Sequence, residues 1–505
     1  MESHRIRNYT LSLFVSLILH FFCASPVFAT ASTYYVSSQN GNDSSGLGSL
    51  SSPWATIPKG ISDMTAGDTL YVRAGNYPGF SVNKSGTDSL PITIKGYENE
   101  LPVITGGPIK IYKQSYIVIS GFEVTGSTTV AGIRSDSSSY VTISGNKVHD
   151  NLSTDLSGIM ILNAANNKIL NNIVYNNDFA GIRVYGSSAV NTEIANNTVY
   201  GHTASAGDSD GIDCDGSAST MNIHHNTVYN NSDDGIDTWS CHHNMIAYNT
   251  VYGNGGTGDG NGIKAGGSTT GGANTIMNNI SYNNLSDGIT SNGSSGNKYY
   301  HNVSYQNGKY GISDGWRNET SNGLSILINN IAYKNTQADV SLASGMTSAS
   351  HNNLWGVIRW NGTIYSGLDS FYSASLLDNP SAGALSSLQG DPLFVNPTAF
   401  DFHLQPNSPA INRGDPSNPA QIVASGIPDL GALEFDGTVP IPSPSPSPQS
   451  RPGDANGDGK IDGIDYVIWV NHYNQSVSGS INGDFNQNGM VDGIDYVIWL
   501  ANYGK

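Results

Sequence analysis

The sequence has few charged residues, few basic residues and few cysteines. Only 12% of its 505 residues are charged, which, beside 59 glycines and abundant Asn, Ser, Thr and Tyr, argues against helical bundles. Lys and Arg total 22 against 40 Asp and Glu, and the net charge is −18. Because no basic cluster occurs, we expect no nucleic-acid partner. An acidic substrate remains compatible with this charge if a cation bridges the two.

Long apolar runs are also missing, except near the start of the chain. Residues 1–29 combine Arg5 and Arg7, the apolar run LSLFVSLILHFFC, and Val27-Phe28-Ala29 as a small-residue cleavage site. This arrangement is typical of a signal peptide, and the run is too short to span a bilayer comfortably. We therefore expect a secreted, extracellular protein without a membrane partner.

Two repeated phrases occupy the middle of the chain. A Gly-Ile phrase recurs at steps of 23 to 30 residues, which is the period of a solenoid. Its glycines are Gly132, Gly158, Gly181, Gly211, Gly235, Gly262, Gly288 and Gly311. A second phrase, typically Asn-x-x-Tyr, alternates with it, and one Asn per turn predicts an internal amide ladder. Its asparagines are Asn146, Asn172, Asn197, Asn226, Asn249, Asn279, Asn302 and Asn330. We predict an all-β fold, a right-handed parallel β-helix of roughly ten turns.

The flanking segments suggest the domain limits. We predict one β-helix domain over residues 30–436, with an N-terminal cap at about 30–110 and a closing segment at about 352–436. Within the cap we expect a short helix between Trp54 and Met64. A Pro/Ser-rich linker follows at residues 437–452.

Residues 453–505 contain a tandem repeat of their own, DANGDGKIDGID and DFNQNGMVDGID, each followed by a matching apolar helix. Oxygen ligands at positions 1, 3, 5, 7, 9 and 12 with glycine at 6 follow the logic of a calcium loop. The predicted ligands are Asp454, Asn456, Asp458, Lys460 (carbonyl), Asp462 and Asp465, then Asp484, Asn486, Asn488, Met490 (carbonyl), Asp492 and Asp495. The duplicated loops resemble dockerin modules, which implies two calcium ions and a cohesin-bearing scaffold protein as partner. Gly463-Ile464 and Gly493-Ile494 stand where familiar dockerins often carry hydroxyl residues.

An acidic patch lies where the Gly-Ile phrases read DSDGIDCDG, SDDGIDTW and GNGIK. Stacked turns lie about 4.8 Å apart, so Asp210 should lie beside Asp234, and Asp213, Asp237 and Lys264 should form a column that Arg183 precedes. Asp before Gly is also ordinary turn chemistry. Here, however, the carboxylates of two adjacent turns would repel strongly unless a cation lay among them, and oxygen ligands suit Ca²⁺.

Lys264 is the other half of this patch. A lysine among carboxylates is commonly only an ion pair, but beside a bound dication its pKa should fall towards that of a general base. Calcium and neutral lysine together suit proton abstraction next to a carboxylate, as in β-elimination from a 4-linked uronate. The hypothesis predicts an alkaline activity optimum.

These phrases and the opening YYVSSQNGND resemble polysaccharide lyase family 9, the pectate lyases. The resemblance implies that Asp210, Asp233, Asp234 and Asp237 hold one calcium, that Lys264 is the base, and that polygalacturonate is the substrate. Related members cleave rhamnogalacturonan, so that substrate stays open.

Two further classes stay open. A hydrolase could pair Asp213 or Asp215 with Asp234, although no Gly-His-Gly occurs and Lys264 would then be idle. A non-catalytic calcium- and polysaccharide-binding β-helix is the other. Candidate substrate-binding residues along the same face are Arg183, Trp239, Trp316 and Arg317.

One last prediction concerns Cys214 and Cys241, the two cysteines that remain after the signal peptide. They fall on adjacent turns but out of register with each other. We therefore expect two buried free thiols rather than a disulfide.

Overall fold

The computed structural model describes residues 31–152, 157–203, 209–267, 271–315, 324–343, 345–378, 387–417, 426–435, 437, 452–455, 460–461, 463–477, 479–486 and 488–504. The predicted signal peptide, most of the linker, and the candidate residues Trp316, Arg317, Asn456, Asp458 and Asp462 lie outside these ranges and stay predictions. Among the described residues, no helix is long and apolar enough to cross a membrane.

Most of the described chain coils into parallel strands that stack in three columns. The first column contains 13 strands within the described ranges. They are Thr33–Val36, Thr69–Val72, Ile92–Gly96, Ile117–Ser120, Val141–Ser144, Lys168–Leu170, Glu193–Ala195, Asn222–His224, Met245–Ala247, Thr275–Met277, Lys298–Tyr300, Ile326–Ile328 and Ser348–Ser350. We call this column the first stack.

Two long strands, Asn76–Val82 and Val103–Tyr112, open the other two columns together. The second stack continues with Glu123–Thr125, Lys147–His149, Ile173–Tyr175, Thr198–Tyr200, Thr227–Tyr229, Thr250–Tyr252, Ile280–Tyr282, Val303–Tyr305, Ile331–Tyr333 and Asn353–Leu354. The third stack continues with Ile133–Asp136, Ile159–Leu162, Ile182–Tyr185, Ile212–Asp215, Ile236–Asp237, Ile263–Lys264, Ile289–Thr290, Tyr310–Asp314, Ala338–Leu342 and Ile358–Trp360. The Gly-Ile phrases begin third-stack strands, and the Asn-x-x-Tyr phrases contain second-stack strands.

Packing explains why the Gly-Ile phrase recurs in each turn. The isoleucines of all eight copies are fully buried in one continuous core. The preceding glycines lie where no side chain fits: a Cβ on Gly235 would come within 2.3 Å of Val251 Cγ1 and 2.6 Å of the Gly262 carbonyl oxygen. Each turn therefore sets the register of the next, which is why the phrase recurs.

The predicted Asn ladder is present. Asn172 illustrates it: its side-chain Nδ2 donates to Asn197 Oδ1 at 3.0 Å, and its own Oδ1 accepts from Asn146 Nδ2 at 3.0 Å. A second ladder, which we had not predicted, follows five residues after each member of the first. Its members are Asn151, Asn177, His202, Asn231, Asn254, Asn284, Asn307 and Asn335. The phrase is therefore Asn-x-x-Tyr-x-Asn, with His202 as the one substitution in this set.

The stacking extends beyond both ends of the repeated phrases. Thr33–Val36 already pairs in parallel with Thr69–Val72, so most of the predicted cap is itself part of the solenoid. Within it, helix α1 spans Ile57–Asp63, with Thr56 as its N-cap, and buries Ile57 and Ile61 against the first strands.

The closing segment packs along the side of the solenoid. Ile358–Trp360 pairs antiparallel with Thr363–Tyr365, and helix α2 (Leu368–Ser375) follows. Beyond it, Phe394–Asn396 pairs antiparallel with Asp401–Leu404, around the 3₁₀ turn Pro397–Ala399. Phe394, Phe402, Leu404 and Leu430 pack on the tyrosines of the last second-stack strands.

The tail forms a separate small core. Helices α3 (Gly463–His472) and α4 (Gly493–Asn502) pack together, with the 3₁₀ turn Ser480–Asn482 between them. Their core residues are Ala455, Ile461, Trp469, Phe485, Val491 and Trp499. The predicted combination of a β-helix with a small helical domain is confirmed.

Candidate functional site

The predicted column of charged residues exists. In the third stack, Arg183 pairs directly with Asp213, Asp213 with Asp237, and Asp237 with Lys264. The register follows from the Gly-Ile phrase, because each of these residues stands two positions after its glycine.

Three carboxylates converge beside this column. One oxygen from each of Asp210, Asp234 and Asp237 lies within 4.8 Å of the other two. All three side chains are buried, with relative exposures of 4, 0 and 7%. Asp210 and Asp234 each precede the glycine of their phrase, and the Asp234 backbone N–H donates to Asp210 Oδ1 at 3.0 Å.

Burial and mutual repulsion make these carboxylates hard to ionise together. Burial raises the pKa of Asp210 well above its ordinary value, and the charges of Asp237 and Asp234 raise it further. Burial likewise raises the pKa of Asp234, to about 6, and that of Asp237, although Lys264 acts in the opposite direction on both. A positive charge in this cluster is therefore strongly favoured.

Lys264 supplies one such charge. Its Nζ lies 3.1 Å from Asp234 Oδ2, 3.1 Å from Asp237 Oδ2 and 3.2 Å from Asp259 Oδ2, and the residue is buried. Burial alone would lower the pKa of Lys264, but the charges of Asp237, Asp234 and Asp259 outweigh burial and raise it. The lowered pKa expected from the sequence therefore requires a cation that neutralises these carboxylates.

The cluster also has capacity to bind such a cation. Asp237 Oδ1 is buried and accepts no hydrogen bond from the described residues, while Asp237 Oδ2 contacts Lys264. Burying a carboxylate oxygen without a hydrogen bond destabilises the fold unless a cation or a hydrogen-bond donor reaches that oxygen. Because the converging donors are all carboxylate oxygens, they fit calcium.

Asp233, the fourth predicted ligand, is buried close by but does not join the convergent set. Its Oδ1 accepts a hydrogen bond from the Asp259 backbone N–H at 2.5 Å. Its charge still raises the pKa of Asp210 and Asp234. The structure thus brings three of the four predicted ligands together and places Asp233 at the edge of the cluster.

Two residues of this site were missed from the sequence, Asp259 and Asn261. Asn261 donates to Asp234 Oδ1 from its backbone N–H at 2.6 Å and its side-chain Nδ2 at 2.9 Å. It stands before Gly262 as Asp234 stands before Gly235, so the repeat could have identified it. Asp259 lies in the loop before Lys264, where the step between phrases lengthens from 24 to 27 residues.

Two of the candidate substrate-binding residues lie next to this site. The Arg183 guanidinium forms an ion pair with Asp213 at 2.8 Å and lies over the rings of Phe179 and Tyr185, 4.7 and 5.1 Å from their centroids. Trp239 is 39% exposed, and Lys264 Nζ lies 5.0 Å from its ring centroid. The aromatic surface of Trp239 therefore adjoins the acidic cluster.

The prediction of free thiols is wrong, because Cys214 and Cys241 form a disulfide. The strand Ile236–Asp237 ends after two residues, and the Cys241 backbone N–H then donates to the Thr238 carbonyl in a turn. This turn brings the Cα atoms of the two cysteines to 6.1 Å, within the range of a disulfide. The prediction from the sequence counted positions from the glycine of each phrase. It missed the disulfide because this count assumes an unbroken strand up to Cys241.

The second predicted calcium loop of the tail has the expected closed form. Asp484 Oδ1 accepts from the Asn488 backbone N–H, and Asp484 Oδ2 accepts from the Gly489 N–H, both at 3.0 Å. Asp495 Oδ1 accepts from the Phe485 and Asn486 N–H groups at 2.8 and 3.0 Å. Positions 1 and 12 therefore fold the loop around a common centre.

The flanking positions of this loop also organise its backbone. Asn486 Oδ1 accepts from the Asn488 N–H, and Asn488 Oδ1 accepts from the Met490 N–H, both at 2.9 Å. Asp492 and Asp495 form a capping box at the start of α4. In the first loop, Asp454 and Asp465 are buried, and Asp465 Oδ1 accepts from the Ala455 N–H at 2.8 Å, as its counterpart does in the second.

Comparison with known proteins agrees with both parts of the chain. Residues 34–322 match the family described as "Pel9A-like, right handed beta helix region", and residues 452–503 match the Dockerin type I domain. Pectate lyase PEL9 of Emericella nidulans is 27% identical over 274 residues, which cover 47% of this chain and 62% of that protein. The uncharacterized protein YwoF of Bacillus subtilis is 33% identical over 133 residues, which cover 23% and 28%.

Among solved structures, that of pectate lyase Pel9A aligns with a TM-score of 0.55 and 21% identity over 81% of this chain and 97% of its own. The chain belongs to the Pel9A-like right-handed β-helix family and carries a dockerin type I domain. The predicted handedness and both predicted resemblances are confirmed. The chain spans less than two thirds of the length of either curated relative.

Proposed function

We propose that this protein is a secreted, calcium-dependent pectate lyase that cleaves polygalacturonate by β-elimination. The observation that carries the proposal is the position of Lys264, whose buried Nζ lies 3.1 Å from two of three converging carboxylates. A lyase of this kind needs a base and a cation-binding cluster at one point. The similarity to pectate lyase PEL9 supports this substrate class.

In the proposed mechanism, Asp210, Asp234 and Asp237 would hold calcium, with Asp233 as a fourth carboxylate beside them. When bound, calcium supplies positive charge that fixes the substrate carboxylate and stabilises the negative charge developing next to it. Neutralising the carboxylates around Lys264 removes the interactions that raise its pKa, so its amine can become neutral. An alkaline activity optimum follows from this requirement.

Lys264 then acts as the base. Its neutral amine takes the proton from C5 of the uronate, the electron pair forms the C4–C5 double bond, and the glycosidic oxygen leaves C4 and takes up a proton. Trp239 would shield Lys264 from bulk water on one side, and Arg183 would keep Asp213 neutralised so that it does not compete for the proton. The products are a reducing end and an unsaturated uronate.

We further propose that the protein is exported and attached to a scaffold. The Cys214–Cys241 disulfide suits an oxidising compartment, as the predicted signal peptide would require. The dockerin domain would bind two calcium ions and dock on a cohesin-bearing scaffold protein, outside the cell or at its surface.

The test is to identify the product formed from polygalacturonate. We expect ultraviolet absorbance of the unsaturated uronate, lost on chelation and restored by calcium. New reducing ends without absorbance would replace the proposal with a hydrolase that uses paired carboxylates. If polygalacturonate gives neither signal, rhamnogalacturonan is the next substrate to test, and a second negative result would indicate a binding protein.

A further inference from the structure

The column of paired residues that contains the acidic cluster continues towards the N-terminal end of the third stack. Its members there are Lys110, Arg134, Met160 and Arg183, each paired directly with the next. Each lies between two buried residues of its own strand, so all four side chains are on the outer side of the sheet. The side of the stack that carries the acidic cluster therefore also carries two cations on adjacent turns.

Lys110 and Arg134 are like charges at directly paired positions of neighbouring strands. Such charges repel each other and destabilise a sheet unless other charges offset them. Arg134 Nη2 donates to Asp136 Oδ2 at 3.0 Å, which offsets one of the two. Lys110 is exposed and has no ion-pair partner among the described residues. One positive charge is thus left without a counterion, in a chain that has only 22 Lys and Arg in 505 residues.

A cavity of about 190 Å³ is lined by both of these cations. Tyr112, Val130 and Asp136 also line it. Tyr112 is 56% exposed, and Lys113 Nζ lies 5.0 Å from the centroid of its ring, so a third cation is close by. Asp136 is the only carboxylate among the described residues that line the cavity, and Arg134 already pairs with it. The charges around the cavity therefore favour an anion.

We propose that this cavity is a distal binding site for the uronate polymer, in which Lys110 and Arg134 bind the carboxylate of a unit on the N-terminal side of the acidic cluster. This inference rests on the proposed function, because it extends the same substrate away from the same cluster. It assigns a binding role to two residues that neither the repeated phrases nor the family resemblance indicated. The site would hold long substrates at a second point, too far from Lys264 to contact the reacting atoms.

The donors of the two cations suit a carboxylate. A guanidinium has five N–H donors, of which the contact with Asp136 uses one, and it can bind a carboxylate through two parallel hydrogen bonds. The ammonium group of Lys110 has three more donors. A carboxylate bound between Lys110 and Arg134 would also offset the repulsion between them.

The separation of the cavity from the acidic cluster suits a polymer that runs along the solenoid. Arg134 lies four strand positions from Asp237 and Lys110 lies five, which at about 4.8 Å per strand gives about 19 to 24 Å. One 1,4-linked pyranose is comparable in length to one strand spacing, so a unit four or five from the one held at Asp237 would reach the cavity. A polyuronate carries a carboxylate on every unit, so that unit presents one here.

The test uses Lys110→Glu and substrates of two lengths. This variant removes a cation from the cavity and places a carboxylate opposite Arg134. We expect KM for oligogalacturonates of about eight units to rise about tenfold with kcat unchanged, and KM for those of about three units, which do not reach the cavity, to stay the same. The thermal unfolding midpoint should not fall, because the variant removes a like-charge pair. Lys298→Ala, which removes an exposed charge from the first stack, is the matched control and should change neither KM.

Arg134→Gln removes the other cation and keeps the test valid if Lys110→Glu does not fold. We expect it to raise KM for the long substrate severalfold and to leave KM for the short substrate unchanged. An equal rise for both lengths would overturn the inference, because it would show a general loss of charge or of folding. No rise for the long substrate in either variant would overturn it as well.

Calorimetry with the long oligogalacturonate in the Lys264→Ala background, where no cleavage is expected, separates this inference from the proposed function. If the wild-type protein forms no unsaturated product but Lys110→Glu weakens this binding about tenfold, the lyase assignment fails and the distal site stands. If product forms but neither KM nor binding depends on Lys110 and Arg134, the distal site fails and the lyase assignment stands. If no product forms and the long oligogalacturonate does not bind, both fail.

Discussion

Asp237 in the β-helix and Asp484 in the tail are both buried carboxylates, but different parts of the chain hold them. Asp237 is fixed by its neighbours Asp213 and Lys264 on the turns before and after it. Asp484 is held by backbone N–H groups four and five residues further on. A cation site can thus be built from stacked turns that exist for other reasons, or from a loop that folds on itself.

This difference predicts different responses to calcium removal. The β-helix has a continuous core and hydrogen-bonded strands that do not depend on an ion. The tail has two ten-residue helices and a core of six residues, which is too small to be stable without a ligand or staple. We therefore expect the tail, but not the β-helix, to unfold when calcium is removed.

The largest expected effect is loss of the folded tail on chelation. In the full-length protein, α3 and α4 should lose protection against hydrogen exchange when calcium is removed, while strands Ile212–Asp215 and Ile236–Asp237 keep theirs. Peptide-resolved mass spectrometry with and without chelator measures this. Retained protection in both tail helices would show that the tail needs no ion to fold.

The next effect concerns the disulfide that joins two turns beside the acidic cluster. The Cys214→Ser, Cys241→Ser double variant should lose about 3 to 4 kcal/mol of unfolding free energy, because the bridge closes a loop between residues 27 apart. Denaturant unfolding measures the loss, and a reductant should affect the wild-type protein but not the variant. An unchanged midpoint for reduced wild-type protein would show that stacking alone holds these turns.

A smaller effect is expected at a single carboxylate of the cluster. Asp237→Asn should weaken calcium binding by the β-helix about 100-fold, because it removes one charged ligand. Calorimetry in a chain that also carries Asp454→Ala and Asp484→Ala isolates this site from the tail. Asp339→Asn, a buried aspartate in a later third-stack strand, is the matched control and should leave affinity unchanged. Equal affinities for both variants would remove Asp237 from the site.

The last effect, which is confined to acid pH, tests the ladder that supports the turns. Burial lowers the pKa of His202 to about 4 from its ordinary 6.5, so the unfolded chain binds a proton more readily than the folded one. The free energy of unfolding is therefore unaffected by His202 above pH 6.5. As the pH falls from 6.5 towards 4, it decreases by up to about 3 kcal/mol.

His202→Asn restores the residue found at the other ladder positions and should remove this part of the acid sensitivity. Urea unfolding at neutral pH and near pH 4.5 measures the difference, and His243→Asn, at an exposed position, is the control. If the unfolding free energies of the wild-type protein and of His202→Asn change equally with pH, His202 does not titrate between neutral pH and pH 4.5.

Residues at a fixed position of the repeated phrases could be predicted from the sequence, because the repeat sets their register. The Gly-Ile phrase fixes the column of Asp213, Asp237 and Lys264, because its glycine leaves no alternative register. Positions where the repeat is interrupted escaped prediction. Asp259 comes from a lengthened loop, and Cys241 follows a strand that ends early.

Two other differences have the same origin. The direction of the Asp233 side chain is decided by the backbone N–H of Asp259, which the repeat does not position. Strands Thr33–Val36 and Thr69–Val72 stack in register although they carry neither phrase. The local pattern predicted the closed form of the second tail loop, since that loop is contained in twelve consecutive residues.

Lys264 and the acidic cluster act as one unit in the proposed mechanism, and Lys264→Ala separates the base from the calcium site. Rates of unsaturated-product formation from polygalacturonate and calcium affinity should be measured on the same sample. We predict a loss of about 10³-fold or more in rate with calcium affinity kept or increased, since the ammonium group no longer competes for the carboxylates. A variant that binds calcium as before and still forms product within a few-fold of the wild-type rate would show that Lys264 is not the base.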